Sequence, residues 1–274
     1  MNRPLLKALA MFALLLAALP ARAVLQIDIT QGTDGTIPVA VVPFGGTAPE
    51  DIAQIVSADL ARSGQFNTLA PSALPELPVD PQQVNFAAWR AAKRDYVVVG
   101  RVRPEGSAFA LDFYLLDANK GSQVTAMSVT ASRADLRMGA HRVADIIYEA
   151  ILGVKGAFAT RIAYVTETGV APYRNYRLEV ADSDGFNPQS VLESREPIMS
   201  PSWSPDGRKL AYVSFESRRS AIYVQDLFSG RRERVASFPA INGSPSWSPD
   251  GSRLALTLSK DGNPEVYVLN LATR

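Results

Sequence analysis

The chain of 274 residues contains no cysteine. That excludes disulfides, thiolate metal sites, thiol nucleophiles and a lipid-anchor cysteine. An exported domain without disulfides must be held by its apolar core, and this chain is long enough to build one. Histidine is almost as scarce, with His141 the only one. A single imidazole cannot build a His-rich metal site or an obvious triad. His141 falls in a stretch expected to be helical, where a solvated or capping role is the ordinary expectation. An excess of one charge is also missing. The 28 basic and 27 acidic residues leave a net charge of +1, which gives no pull toward nucleic acid or an anionic membrane surface. The sequence has no G-x-S-x-G elbow, no Walker loop and no H-E-x-x-H. No cofactor or metal is expected.

The long apolar run lies at the start. Ala8 to Leu19 is apolar throughout, follows the positive residues Arg3 and Lys7, and precedes the small-x-small sequence Ala21-Arg22-Ala23. That is the order of a secretory signal peptide over residues 1–23. The alternative is a membrane anchor, but the run is shorter than the ~20 residues that span a bilayer. The mature chain is expected to begin near Val24, outside the cytoplasm and not inserted in a membrane. Its length, about 250 residues, suggests two domains.

What the chain does have is a repeat. Ser200-Pro201-Ser202-Trp203-Ser204-Pro205-Asp206-Gly207 returns letter for letter as Ser244-Pro245-Ser246-Trp247-Ser248-Pro249-Asp250-Gly251, 44 residues later. The register persists: Leu210-Ala211 matches Leu254-Ala255, Tyr223-Val224 matches Tyr267-Val268, and Leu227 matches Leu271. A period of about 40–45 residues suits one four-stranded propeller blade. Pro-Asp-Gly is turn chemistry between a short segment around Trp203 and the strand Leu210–Val213. Ala221–Leu227 reads as a third strand, Phe228-Ser229-Gly230 as a turn, and Glu233–Ser237 as a fourth strand. Arg161–Thr166 echoes Lys209–Ser214, and Leu178–Asp182 echoes Ile222–Asp226, so another blade precedes the two clear copies. Asp206 and Asp250 occupy equivalent turns, which accounts for both without catalysis. Asp182-Ser183-Asp184-Gly185 with Glu193 fails as an EF-hand loop, because Phe186 and Asn187 stand where a ligand and a glycine are needed. It reads as an inter-strand turn.

Ahead of the repeats the pattern is α/β. Val24–Thr30 alternates Leu25, Ile27 and Ile29 with Gln26, Asp28 and Thr30, as a strand does. It is either an ordinary first strand or a mobile segment, over residues 24–35, that adds to another protein's sheet edge. Pro38–Phe44 and Tyr96–Gly100 read as buried strands. A helix is expected to open within Thr47–Asp51 and stop at Gly64, and a second to span Val84–Arg94. Phe109–Asp117 and Ser122–Ala131 read as an antiparallel pair, and Arg133–Leu152 as a long helix. The boundary falls near Gly153–Gly156. The expected organisation is an α/β N-terminal domain over residues 24–158, followed by an all-β, WD40-like β-propeller over 159–274. The count of repeats does not close: about 2.6 repeats of 44 fit after Thr160, whereas propellers have about four to eight blades. The sequence is expected to be the front portion of a longer chain.

Together these features resemble the TolB family, the periplasmic propeller component of the Tol-Pal envelope system of Gram-negative bacteria. The resemblance rests on Ile37–Phe44, Ala48–Ile52, Gly153-Val154-Lys155-Gly156-Ala157-Phe158, Thr160–Val165 and Ser200–Val213, with Met199 and Phe215–Ala221. It implies six blades, no enzyme activity, and a part in outer-membrane integrity and cell division. It implies two main partners, with other outer-membrane proteins a further possibility. The inner-membrane protein TolA is met by the mature N-terminal segment, here Val24, Leu25, Gln26, Ile27, Asp28, Ile29 and Thr30. The lipoprotein Pal is met by one propeller face, here through loops carrying Glu216, Ser217, Arg218 and Arg219, and Ile241, Asn242 and Ser244. The family commonly has glycine where this chain has Arg218, and histidine where it has Ile241. The alternatives are the propeller of a secreted prolyl-oligopeptidase-like serine peptidase, since those repeats are shared, and a periplasmic scaffold with unrelated partners.

Overall fold

The computed structural model describes residues 35–274. The leader expected over residues 1–23 and the segment Val24–Thr30 lie outside them. Among the described residues no helix is long and apolar enough to cross a membrane.

The first part is a five-stranded sheet built from β1 (Ile37–Val41), β2 (Phe66–Thr68), β3 (Tyr96–Glu105), β4 (Ala108–Asp117) and β5 (Ser122–Ser132), in the order β2-β1-β3-β4-β5. β1 is parallel to both β2 and β3, while β3, β4 and β5 run antiparallel. Helices α1 (Ile52–Arg62) and α3 (Leu136–Leu152) cover one face, and the short α2 (Phe86–Ala91) covers the other. The apolar runs of β1 and β3 are continuous because both faces are buried. Val39, Val41, Val98 and Val102 meet α1 and α3, while Ala40, Val42, Val97 and Val99 surround Trp89. Trp89 is fully buried, and its indole N–H donates to Glu76 Oε1 at 2.6 Å.

The helices differ from expectation at their ends. α1 begins at Ile52, where Asp51 caps it by accepting from the Gln54 N–H at 3.0 Å. Pro49 and Glu50 therefore precede the helix instead of forming its first turn. α2 is six residues long where eleven are expected. Asn85 caps its start, and Lys93, at φ 55, turns left-handed just past its end. α3 stops at Gly153, whose φ of 73 is the left-handed cap that glycine adopts without penalty. β2 has no counterpart among the expected elements, since only Phe66 of its three residues is buried.

His141 is neither solvated nor capping. It is completely buried, and its Nδ1 lies 2.6 Å from Oδ2 of the equally buried Asp59 on α1. Helical spacing puts it on the same side as Ala140 and Ala144, which pack into the core.

The second part consists of stacked antiparallel sheets. β6 (Arg161–Thr168), β7 (Asn175–Asp182) and β8 (Gln189–Ser194) form the first. β9 (Ile198–Trp203), β10 (Lys209–Ser214), β11 (Ala221–Asp226) and β12 (Arg232–Ala236) form the second. β13 (Asn242–Trp247), β14 (Arg253–Leu258) and β15 (Glu265–Asn270) form the third. Alternation along β10 explains the stacking: Leu210 and Tyr212 face the first sheet, while Ala211 and Val213 face the third. Polar bonds cross the same seams. Trp247 Nε1 donates to Ser202 O at 3.1 Å, and Gln225 Nε2 donates to Val191 O at 3.1 Å. Among the described residues the sheets do not close a ring. This is an α/β domain followed by an incomplete propeller, as the sequence pattern requires.

The repeated turn is made twice in one way. The Ser204 N–H donates to Lys209 O, the Lys209 N–H returns to Ser204 Oγ, and Asp206 Oδ1 accepts from Ser204 Oγ and the Arg208 N–H. Ser248, Asp250, Ser252 and Arg253 repeat the pattern. The serine hydroxyls, and then the backbone N–H groups, hold both aspartates below the usual carboxylate range. These carboxylates pin turns.

Gly100 shows how tightly β3 sits. A Cβ there would lie 2.5 Å from Asp112 O and 2.8 Å from the Phe44 ring. Gly100→Ala is expected to destabilise the protein by about 1–3 kcal/mol, the usual cost of overpacking. Urea unfolding checks this, and an unchanged midpoint would contradict it.

Candidate protein-interaction rim

The repeat fixes where loops emerge. β9 and β13 each open on an irregular stretch. The pairing register shifts opposite Ala211/Val213 in one sheet and at Gly243/Ser246 in the other. The residues responsible are Ser200 at φ 51 and Ser244 at φ 48, one repeat apart. Two further non-glycine residues at positive φ, Arg218 at 63 and Ala240 at 63, lie in the neighbouring loops. Left-handed backbone of this kind persists only where the surroundings enforce it.

Around Ala240 the enforcing groups are buried and polar. The Asn242 Nδ2 donates to the Phe238, Ser220 and Ala240 carbonyls at 2.8, 3.0 and 3.3 Å, while its Oδ1 accepts from the Phe238 N–H at 2.8 Å. The Asn242 N–H donates to Ser220 Oγ at 2.9 Å, and the Ile241 N–H to Ser259 Oγ at 2.9 Å. One side chain thus ties the 238–242 loop to the end of the 215–220 loop.

Between these loops lies a cleft of about 500 Å³, lined by Met199, Ser200, Val213, Phe215, Arg219, Ser220 and residues 240–244. Met199 and Ile241 stand half exposed at its mouth, at 51% and 50%. The residues expected to form a partner-binding face divide into three groups. Arg219, Ile241 and Ser244 line the cleft with exposed side chains. Asn242 also lines it but is 1% exposed, its side chain used on the loop's own backbone. Glu216 turns toward Arg232, with which it pairs, and accepts from Ser214 Oγ, while Ser217 and Arg218 form the exposed turn beside the cleft. Arg218 occupies left-handed backbone, at φ 63, that glycine adopts at no steric cost. Met199 and Phe215 were not singled out as contact residues by the sequence reading. The signal available was the repeat itself, because Met199 and Gly243 are equivalent positions 44 residues apart, each preceding a serine at positive φ.

A larger cleft, of about 770 Å³, runs between the start of α3 and the first two sheets, with Asp135, Arg137, Arg161 and Asp182 among its lining residues. Beside it α3 is paired to the end of β7 and the turn that follows, where Arg137 pairs with Asp184 and lies 3.8 Å from Asp182. That turn is the stretch excluded as a calcium loop, and it meets the start of α3.

Comparison with known proteins decides the family. The TolB amino-terminal domain model matches residues 25–124, and the TolB beta propeller domain model matches residues 148–274. The chain belongs to the TolB family. It is 58% identical over 235 residues to the Tol-Pal system protein TolB of Methylococcus capsulatus, covering 85% of this chain and 55% of that protein. The corresponding protein of Thioalkalivibrio sulfidiphilus is 52% identical over 247 residues, covering 87% and 57%. The crystal structure of TolB from Acinetobacter baumannii superposes with a TM-score of 0.79 at 40% identity, over 87% of this chain and 59% of that one. The chain thus spans a little over half the length of the curated TolB relatives it matches.

Asn242 is the testable element of this TolB rim. Asn242→Ala strands the Phe238 N–H and the Ser220 and Phe238 carbonyls. It is expected to cost on the order of 2–3 kcal/mol in urea unfolding and to raise amide exchange across residues 238–244. Exchange unchanged in that loop would contradict the assigned role.

Proposed function

We propose that this chain is a non-enzymatic, periplasmic protein–protein interaction component of the Tol-Pal envelope system. In this reading it meets Pal with the propeller rim and TolA with its N-terminal segment, and serves outer-membrane integrity and cell division. The observation that carries it is the cleft between the 215–220 and 238–244 loops. Four non-glycine residues around it hold left-handed backbone, and apolar Met199 and Ile241 stand at its mouth. A rigid apolar depression with a polar rim suits a protein partner. The names of the TolB relatives support the envelope system as the setting.

Arg219, Ile241 and Ser244 are the contact residues of this proposal, with Glu216, Ser217 and Arg218 at its edge. Asn242 holds the loop from behind. Val24–Thr30 is the proposed TolA-binding strand, exported behind a signal peptide over residues 1–23. The working division is 24–158 and 159–274. Non-enzymatic action is favoured because the acids of the repeated Pro-Asp-Gly turns, Asp206 and Asp250, are engaged in those turns. In this reading the N-terminal segment is either docked on its domain or released to TolA, and Pal influences that equilibrium only if it binds the two states with different affinity.

The test measures binding of this chain to the Pal-type and TolA-type proteins of the same organism by calorimetry. Deletion of residues 24–35 is expected to abolish TolA binding and preserve Pal binding. Ile241→Glu is expected to weaken Pal binding at least tenfold and leave TolA binding intact. Loss of both partners in either variant, or of neither in both, would overturn the two-site reading.

A further inference from the structure

The contact between the α/β domain and the first sheet contains a donor set that its ion pairs leave incomplete. His141 Nδ1 faces Asp59 Oδ2 at 2.6 Å, and a carboxylate of this kind only accepts, so the ring hydrogen sits on Nδ1. In the neutral ring Nε2 is then a bare lone pair. It is fully buried, has no hydrogen-bond partner, and points at Asp184 Oδ2, 4.0 Å away. A lone pair facing a carboxylate oxygen in a buried site is repulsive unless something positive lies between them.

A ring nitrogen of His141 and one carboxylate oxygen each from Asp182 and Asp184 lie within 4.8 Å of one another, and Nε2 is the nitrogen that faces Asp184. Among the described residues this is the one such group of potential metal ligands. We propose that His141, Asp182 and Asp184 bind a first-row divalent cation of the zinc class, which joins α3 to the β7–β8 turn. One imidazole and two carboxylates with an open fourth position is a donor set that zinc accepts. Asp59 supplies the supporting shell, since an imidazole ligand commonly donates its other N–H to a carboxylate, which fixes the tautomer and strengthens the ligand. Bonds of about 2.0–2.2 Å require the three donors to draw in slightly.

Arg137 is the competitor. It pairs with Asp184, lies 3.8 Å from Asp182, and stacks on Phe186 at 4.0 Å. The cation takes Asp184 from it, leaving the guanidinium on Phe186 and near Glu50, which is 4.0 Å away. Removing Arg137 therefore tightens metal binding instead of weakening it.

The experiment is zinc titration by calorimetry on EDTA-treated, dialysed protein carrying no histidine tag. The chain has no cysteine and no other histidine, so tight zinc binding has no rival thiolate or imidazole site. Saturation at one equivalent is expected, with an upward shift in thermal midpoint as zinc rises. Asp182→Asn is expected to weaken binding at least tenfold, and Arg137→Met to equal or exceed the original affinity. Circular dichroism at the titration temperature confirms that each variant is folded. Absence of saturable binding in both the parent and Arg137→Met would overturn the proposal, as would equal affinity in Asp182→Asn.

Discussion

Helix α3 is gripped from two sides, and the relation between the two parts of the chain depends on that grip. On its inner side His141 meets Asp59 of α1, whose other oxygen accepts from Arg62 at 2.8 Å. One turn earlier Arg137 reaches outward to Asp184, Asp182 and Phe186 of the β7–β8 turn. Burial alone raises both aspartates. In Asp184 the Phe186 N–H and the Arg137 guanidinium outweigh burial, and its carboxyl is held below the usual range, whereas Asp182 remains above it. A depressed carboxyl stabilises the fold above its unfolded pKa and loses that contribution as pH falls through the folded value. Asp184 thus works as an anchor at neutral pH, whereas burial works against the charge on Asp182. Burying these groups carries a desolvation cost that is offset only when every partner is present.

The propeller sheets obey a simpler constraint. A strand inside such a sheet has two apolar faces and one neighbour for each, so each sheet orders the next. Leu210 and Tyr212 on one side of β10, with Ala211 and Val213 on the other, put the rule into a single strand. Because the faces are committed to stacking, what remains variable is the loops at the rim. There, backbone at Ser200, Arg218, Ala240 and Ser244 is bent into the left-handed region, and Asn242, Ser220 and Ser259 hold the loop around Ala240. Stacking supplies the rigidity that makes an apolar cleft at the rim durable.

Much of this was legible in the sequence. The 44-residue repeat gave the sheets, the turns at Pro205 and Pro249, and the location of the rim loops, because turn chemistry and strand alternation are local properties. The β4–β5 hairpin and α3 were legible for the same reason. Other features were not. Val84–Arg94 looked like a full helix because its apolar residues suit one, yet the Asn85 cap and the left-handed Lys93 confine it to six residues. Phe66–Thr68 is too short to show a period. Asn242 looked like a surface loop residue, and only the folded loop shows its amide turned inward. His141 is the clearest case: nothing local distinguishes a buried histidine from an exposed one on a helix, and its partner Asp59 lies 82 residues away. Long-range polar pairing leaves no periodic trace.

The central claim, that the α3 grip makes the α/β domain and the first sheets one cooperative unit, is tested most directly by a double-mutant cycle. Arg137→Met, Asp184→Asn and the double variant would be unfolded in urea with probes in both parts of the chain. The account predicts coincident transitions for the parent protein and a coupling on the order of 1–3 kcal/mol between the two residues. Additive effects with transitions that already separate in the parent protein would contradict it.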